Sequence, residues 1–489
     1  MAAQAQINIL KQGYIHYLVA LVIGVVLAIA MEPSNGLTRE GVLVISILVP
    51  TLYLWLTTNT HWTALLFLGM IIMTQVMRPD DVWRGSIGHF AVTTLIVFML
   101  LNQCLKETGV IDKIASWFIT RKFVYGRPYA FLGMFFASNL VVGMFMENLS
   151  LAIIYIGIAM VLCEKIGIKK GHSLYTCIML GILWGNSVLS ITSPIAKALP
   201  NILIGIAQTQ LGITITYAQW FAVGVPFTII MFVVLMLTVR IFKPDTTPLQ
   251  NFDLDEFKRN EPPLDTRGKI AAIAITLVVL AIILPEIFVA TGIFMTVGTY
   301  LTAIGVVVPA ILAAAILCLI RVKGKAVMDL PEAAKGVPLP VLIFTGTVCL
   351  ISIPIASEST GITAWLGNSL QPLIAGMSPM AVVIALIVCV VVVTNFMSSV
   401  VTMVLFFNIG VALLAAGDIN MVAFAIVLAL TTSSVANCTP SASLTTPMFY
   451  GPGHITMKNS IKCNLIFVAL SFIVLIVFTL PFASAIFRV

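Results

Sequence analysis

Gly143-Met144-Phe145-Met146-Glu147-Asn148-Leu149-Ser150 places a carboxylate, an amide and a hydroxyl inside an apolar run that extends from Ala130 to Cys163. An ionisable side chain at membrane depth costs roughly 2.5 to 3.5 kcal/mol on insertion scales, so one that persists is expected to face a cavity, an ion or a partner charge. The chain around this stretch is 60% hydrophobic and 9% charged over 489 residues, with mean hydropathy +1.10. A water-soluble globule carries roughly 25% charged residues, so that class is excluded. About a dozen apolar runs of about 20 residues, enough to cross a hydrocarbon core of about 30 Å, follow one another between short polar joints. The reading is an all-α polytopic membrane protein, because a barrel would need strands alternating with period two.

No cleavage pattern of small residues follows the first apolar run, so the first helix is expected to stay as an anchor. The net charge of +7 and pI near 9.0 point to basic cytoplasmic loops rather than to nucleic acid. The eight cysteines show no zinc-ligand or redox spacing and read as free, small apolar side chains.

In chain order, residues 1–37 hold the N-terminus and first helix, and 38–242 form a first unit. The polar, proline-bearing stretch 243–269 is a linker, and 270–489 form a second unit. A cytoplasmic N-terminus puts this linker, with Arg121, Lys122, Arg127, Lys169 and Lys170, on the cytoplasmic side, as the positive-inside tendency asks.

The two units echo each other at three places displaced by roughly 250 residues, the kind of internal repeat found in secondary transporters. Lys106-Glu107-Thr108-Gly109 answers Glu358-Ser359-Thr360-Gly361, and Glu147-Asn148-Leu149-Ser150 falls opposite Ser398-Ser399-Val400-Val401. The third pair sets Ser187 to Pro200 against Ser434 to Pro447. Each unit then supplies a hairpin with a polar tip, about 128–165 and 379–416, and a proline-bearing broken helix, about 174–206 and 421–450. Irregular backbone at membrane depth must be satisfied by protein or a water-filled cavity, so the four breaks are expected to converge on one site. The expected architecture is an inverted repeat of about eleven transmembrane helices plus two re-entrant hairpins.

This arrangement resembles the divalent-anion/sodium symporter family, the dicarboxylate and citrate transporters of the larger ion-transporter superfamily. The resemblance covers nearly the whole chain: a span ending in Glu-Thr-Gly, a hairpin with a polar tip, a broken helix, then the same again. It implies hairpin tips of Ser-Asn-Thr that hold substrate carboxylates and, with the adjacent helix breaks, two sodium ions. Cys438-Thr439-Pro440-Ser441 and Tyr450-Gly451-Pro452-Gly453-His454 look like the family's second break. Both tips depart from the motif: Glu147 and Leu149 flank Asn148, and Ser399 and Val400 follow Ser398. The first break, Ser193 to Asn201, loses glycines and gains Lys197.

On this resemblance the substrate side is expected to comprise Asn148, Leu149, Ser150, Lys197, Ser398, Ser399, Val400, Thr439 and Pro440. Ion coupling, with sodium as the one metal in question, is expected at Glu147, Asn148, Ser190, Thr192, Ser398, Thr402 and Asn437. Short hydroxyl and amide groups suit both carboxylates and sodium. Glu147 reads as a proton carrier, an extra sodium ligand, a partner for Lys197, or a structural cap on backbone amides. Lys197 reads as an attractor of anions, a neutraliser of Glu147 standing in for one sodium, or a lysine snorkelling to the interface.

The expected function is secondary active transport of a small organic anion, dicarboxylates first, by alternating access with sodium or protons. The rival is a cation/proton antiporter or inorganic-anion carrier of the same superfamily. An enzyme is not expected, since the sequence offers only the isolated Glu147 and Lys197 in place of paired acids, a histidine cluster or a nucleophile with its base. The resemblance adds a homodimer, no cofactor beyond sodium ions, and a plasma (bacterial inner) membrane location.

Overall fold

The computed structural model describes residues 2–58, 60–119, 121–195, 197–250, 263–414, 419–440, 442–443 and 445–487. Ala196 and Ser441 of the two breaks, residues 251–262 of the linker and 415–416 of the second hairpin lie outside the described residues. Among the described residues the strands amount to one short ribbon, Arg321–Val322 against Lys325–Ala326; helices build the rest of the architecture.

Seven helices among the described residues are long and apolar enough to cross a bilayer, and nine if two bent pairs each count as one. The bent pairs are Met295–Ala303 with Val307–Leu319, at 77°, and Ile362–Ile374 with Pro379–Val393, at 102°. The protein is an all-α polytopic membrane protein, but the crossings are not all single long helices. Trp62–Met73 and Met421–Ser434 are apolar yet short. Interrupted helices leave backbone N–H and C=O groups without intrahelical partners, and other parts of the chain must satisfy them.

Both predicted hairpin segments consist of two helices and a short irregular joint. Pro128–Gly143 and Asn148–Lys165 flank residues 144–147, and Pro379–Val393 and Ser399–Leu414 flank residues 394–398. Each first limb opens on proline, whose missing N–H costs nothing at a helix start.

The first broken helix runs Ser173–Thr192 and resumes as Ala198–Leu211. Pro194 explains the stop: the residue before proline is pushed out of the helical region, and Ser193 sits at φ −120°, ψ 133°. The second runs Met421–Ser434 and resumes only as the short turn Thr446–Tyr450.

These two broken helices form the centre of the molecule. Every residue from Leu174 to Thr192, and from Ala423 to Ser434, is buried. Small hydroxyl side chains meet at their crossing: Ser190 bonds to Ser433 through their hydroxyls, and Ser433 Oγ donates to the Ser187 carbonyl at 2.9 Å. Small and hydroxylated residues let membrane helices approach closely.

Candidate functional site

At the first tip Glu147 takes an extended conformation, φ −65°, ψ 141°, and its Oε2 accepts from the N–H groups of Leu149 at 2.9 Å and Ser150 at 3.0 Å. A carboxylate at a helix start satisfies orphan donors and meets the positive end of the helix dipole. Asn148 follows; its Oδ1 accepts from Lys197 Nζ, and its carbonyl accepts from Asn186 Nδ2 at 3.3 Å. Lys197 is 1% exposed, so its ammonium does not reach for the interface. Among the described residues no ion pair joins it to Glu147.

The second tip is stitched to the second break. Asn395 Oδ1 accepts from the N–H groups of Asn437 at 3.2 Å and Cys438 at 3.0 Å, and Thr439 Oγ1 donates to the Asn395 carbonyl. Ser399 Oγ donates to the Ala442 carbonyl at 3.1 Å. Two buried hydroxyl oxygens beside this tip, Ser398 Oγ and Thr402 Oγ1, have no hydrogen-bond partner among the described residues.

Between the tips lies a cavity of about 250 Å³. Glu147, Asn148 and Leu149 line it from the first tip, Lys197, Ala198 and Leu199 from the first break, and Ser398, Ser399 and Val400 from the second tip. Ser187 and Ser190 contribute from the first broken helix, with Ser433, Ser443 and Thr445 from the second. Pro338, Pro340 and Val341 close one side at the start of helix Leu339–Ala356, with Met99 nearby. Four helices therefore begin at this wall: Asn148–Lys165, Ala198–Leu211, Leu339–Ala356 and Ser399–Leu414. Helix starts carry partial positive charge and free N–H groups, so the wall suits an anion at the other three, while at Asn148–Lys165 the Glu147 carboxylate already takes the Leu149 and Ser150 amides. Glu147 is the one acidic side chain lining it among the described residues.

Of the predicted site residues, the cavity gathers Glu147, Asn148, Leu149, Ser190, Lys197, Ser398, Ser399 and Val400. Ser150 instead faces a smaller space of about 20 Å³, shared with Glu147, Asn102, Gln103 and Lys106. Thr192 is fully buried and hydrogen bonded to Thr228 at 2.5 Å. Asn437 stands behind the wall, its Oδ1 accepting from Ser187 Oγ at 2.5 Å. Thr402 and Thr439 also lie outside the lining, and Pro440 is exposed.

Sequence reasoning missed Ser187, Ser433, Ser443, Thr445 and the Pro338-Leu339-Pro340 start. The prolines carried a legible signal, since proline at the first positions marks a helix N-terminus. Ser187, Ser443 and Thr445 carried none beyond lying in the repeated islands, and Ser433 lies just outside them.

A largely helical, bilayer-spanning fold with interrupted helices around an internal cavity suits a membrane transporter, and the family match below makes that class plain. The chain belongs to the citrate transporter family, whose model matches residues 42–432. The sodium-dependent dicarboxylate transporter SdcS of Staphylococcus saprophyticus is 24% identical over 472 residues, 92% of this chain and 88% of that protein. A membrane protein of Cupriavidus necator is 24% identical over 252 residues, 47% of this chain and 48% of that one. The crystal structure of the Alcanivorax borkumensis YdaH transporter shares the fold, with TM-score 0.53 and 11% identity over 83% of this chain and 88% of that chain.

Proposed function

We propose that the chain is a secondary active transporter that carries a small di- or tricarboxylate by alternating access, driven by sodium or protons. The observation that supports this most is the cavity wall, where four helix starts and the Lys197 ammonium meet a single carboxylate. Its volume, about 250 Å³, sits just below the roughly 300–1,000 Å³ typical of drug-sized ligand sites, and so suits a small metabolite. The substrate carboxylates are held at Asn148, Lys197, Ser398, Ser399 and the helix start beside Val400, with Leu149 lining the cavity, Ser150 next to it, and Thr439 and Pro440 shaping the second break. The coupling cation uses Glu147, Asn148, Ser190 and the partnerless oxygens of Ser398 and Thr402, with Thr192 and Asn437 behind them. The name of the staphylococcal relative supports sodium as that cation.

The two units work as an inverted repeat in which the hairpins and broken helices move against the remaining helices, within a homodimer in a bacterial inner membrane. A cytoplasmic N-terminus is supported by the basic joints 121–127, 165–170 and 321–335, which then fall on the side that the positive-inside tendency favours.

A thermal-shift screen of purified protein tests this reading, using mono-, di- and tricarboxylates, sulfonates and sulfate with and without sodium. A ligand that binds only the folded state raises the melting temperature. Stabilisation confined to di- or tricarboxylates, and enhanced by sodium or by low pH, supports the proposal. Stabilisation by inorganic anions alone refutes it.

A second reading rests on Glu147, the carboxylate at the cavity: a cation/proton antiporter would use it to bind the cation directly. Sodium-driven pH changes in vesicles without organic substrate would favour that reading.

A further inference from the structure

Each helix break is gripped by a buried asparagine that does not itself line the cavity. In the first break, Asn201 Nδ2 donates to the Pro194 carbonyl at 2.6 Å and to the Lys197 carbonyl at 2.7 Å, while its Oδ1 accepts from the Tyr217 hydroxyl at 2.5 Å. At the second, Asn464 Nδ2 donates to the Asn437 carbonyl at 2.8 Å and to the Tyr450 hydroxyl at 3.0 Å, and that hydroxyl donates in turn to the same carbonyl at 3.1 Å, so Asn464 holds it both directly and through Tyr450. Asn464 Oδ1 accepts from Trp184 Nε1 at 2.9 Å, which ties the last helix to the first broken one. Both asparagines are 0% exposed.

The two clamps do the same physical work. A broken helix turns carbonyls out of their ladder, and a buried acceptor without a donor is costly. One amide that supplies the missing donor fixes the path of the irregular segment. At the first break that path decides where Lys197 begins, because its own carbonyl is one of the two held. Lys197 precedes helix Ala198–Leu211 with no side-chain cap of its own, its backbone extended at φ −115°, ψ 131° and its carbonyl held by Asn201. At the second, the clamp holds Asn437, whose Oδ1 receives the Ser187 hydroxyl from the cavity wall.

We propose that Asn201 and Asn464 are positioning residues for transport: Asn201 aims the Lys197 ammonium at the cavity, and Asn464 holds the second break in register with Ser187. This rests on the carboxylate-transport reading above. The clamps are not repeat mates, because the asparagine follows the first break closely in sequence but reaches the second from the last helix.

The test is uptake of radiolabelled succinate and citrate by wild-type protein and by Asn201→Ala and Asn464→Ala in proteoliposomes, with thermal stability measured in parallel. Uptake by the wild type tests the function itself; the variants, read relative to wild type, test the positioning. Loss of a donor from a buried carbonyl raises the apparent KM in each variant by about tenfold while the maximal rate stays within about threefold. An unchanged KM, with a maximal rate that falls only in proportion to folded protein, overturns the proposal. Should Asn201→Ala not fold, Asn201→Ser carries the test, because one short hydroxyl cannot donate to both the Pro194 and the Lys197 carbonyls. A raised KM with a near wild-type maximal rate is expected; a wild-type KM in the folded variant would overturn the proposal.

Discussion

Lys197 Nζ donates to Asn148 Oδ1, a bond that joins the first helix break to the first hairpin tip and leaves the neighbouring Glu147 to its own helix start. The sequence placed a carboxylate and an ammonium in membrane-embedded breaks, which suggested a pair. The structure instead puts one neutral amide between the ammonium and the hairpin, with both charges facing the same cavity. The cation therefore remains available to an anion.

Lys197→Met is expected to lower uptake efficiency for a dicarboxylate by about tenfold or more, the equivalent of about 1.4 kcal/mol. Lys197→Arg keeps the charge but not the compact, rotatable donor, and falls between. Concentration-dependent uptake in proteoliposomes reads both. Wild-type efficiency in Lys197→Met would remove this residue from the binding account.

Glu147→Gln keeps an oxygen for the Leu149 and Ser150 amides and removes the charge, so the fold survives with a cap weakened by about 0.3–1 kcal/mol. The coupling is expected to change: the pH or sodium dependence of uptake shifts relative to wild type. An unaltered dependence on both ions would leave Glu147 as a helix cap and nothing more.

Gly224 sits where helix Tyr217–Phe242 meets the end of the first broken helix, and a Cβ there would lie 2.4 Å from the Thr192 carbonyl oxygen. A backbone atom cannot swing aside as a side chain can. Gly224→Ala is expected to lose about 1–3 kcal/mol by overpacking and to lower the thermal midpoint. An unchanged midpoint would show that these two helices separate without cost.

His454 lies in the loop before helix Met457–Val474, 7% exposed, and its Nδ1 shares a 2.6 Å hydrogen bond with the Tyr175 hydroxyl. Burial first, and the nearby Lys170 charge second, hold its pKa below 6.5 in the folded chain. Above 6.5 the imidazole is neutral in both states and costs nothing; as pH falls below 6.5 the unfolded chain binds the proton first, and stability is lost. Thermal midpoints measured between pH 8 and pH 5 are expected to fall less steeply in His454→Gln than in wild type. Parallel curves would show that this histidine does not contribute.

The places where the chain stops being helical were readable from its letters, because Pro194, Pro440 and the polar tips interrupt apolar runs that have no other reason to break. Lys197 was readable as a candidate for the same reason, although its depth was not: a lysine stem reaches water from many positions, and only packing decides. The repeat made the meeting of the two tips legible, but the particular contacts between distant segments escaped. Trp184 and Asn464 look like an ordinary core aromatic and an ordinary amide until helix Met457–Val474 is laid against helix Ser173–Thr192. Likewise Thr192 and Asn437 were chosen for carrying oxygen at a break, and the fold turns that oxygen towards Thr228 and Ser187. Sequence position gives a residue's neighbours along the chain, whereas its ligand role depends on which side of the wall its side chain occupies.

The most direct measurement is accumulation of radiolabelled succinate and citrate in proteoliposomes under an imposed inward sodium or proton gradient. The account predicts that internal substrate rises above the external concentration and that collapsing the gradient abolishes the excess. Equilibration without accumulation under either gradient, or no uptake of any carboxylate, would contradict it.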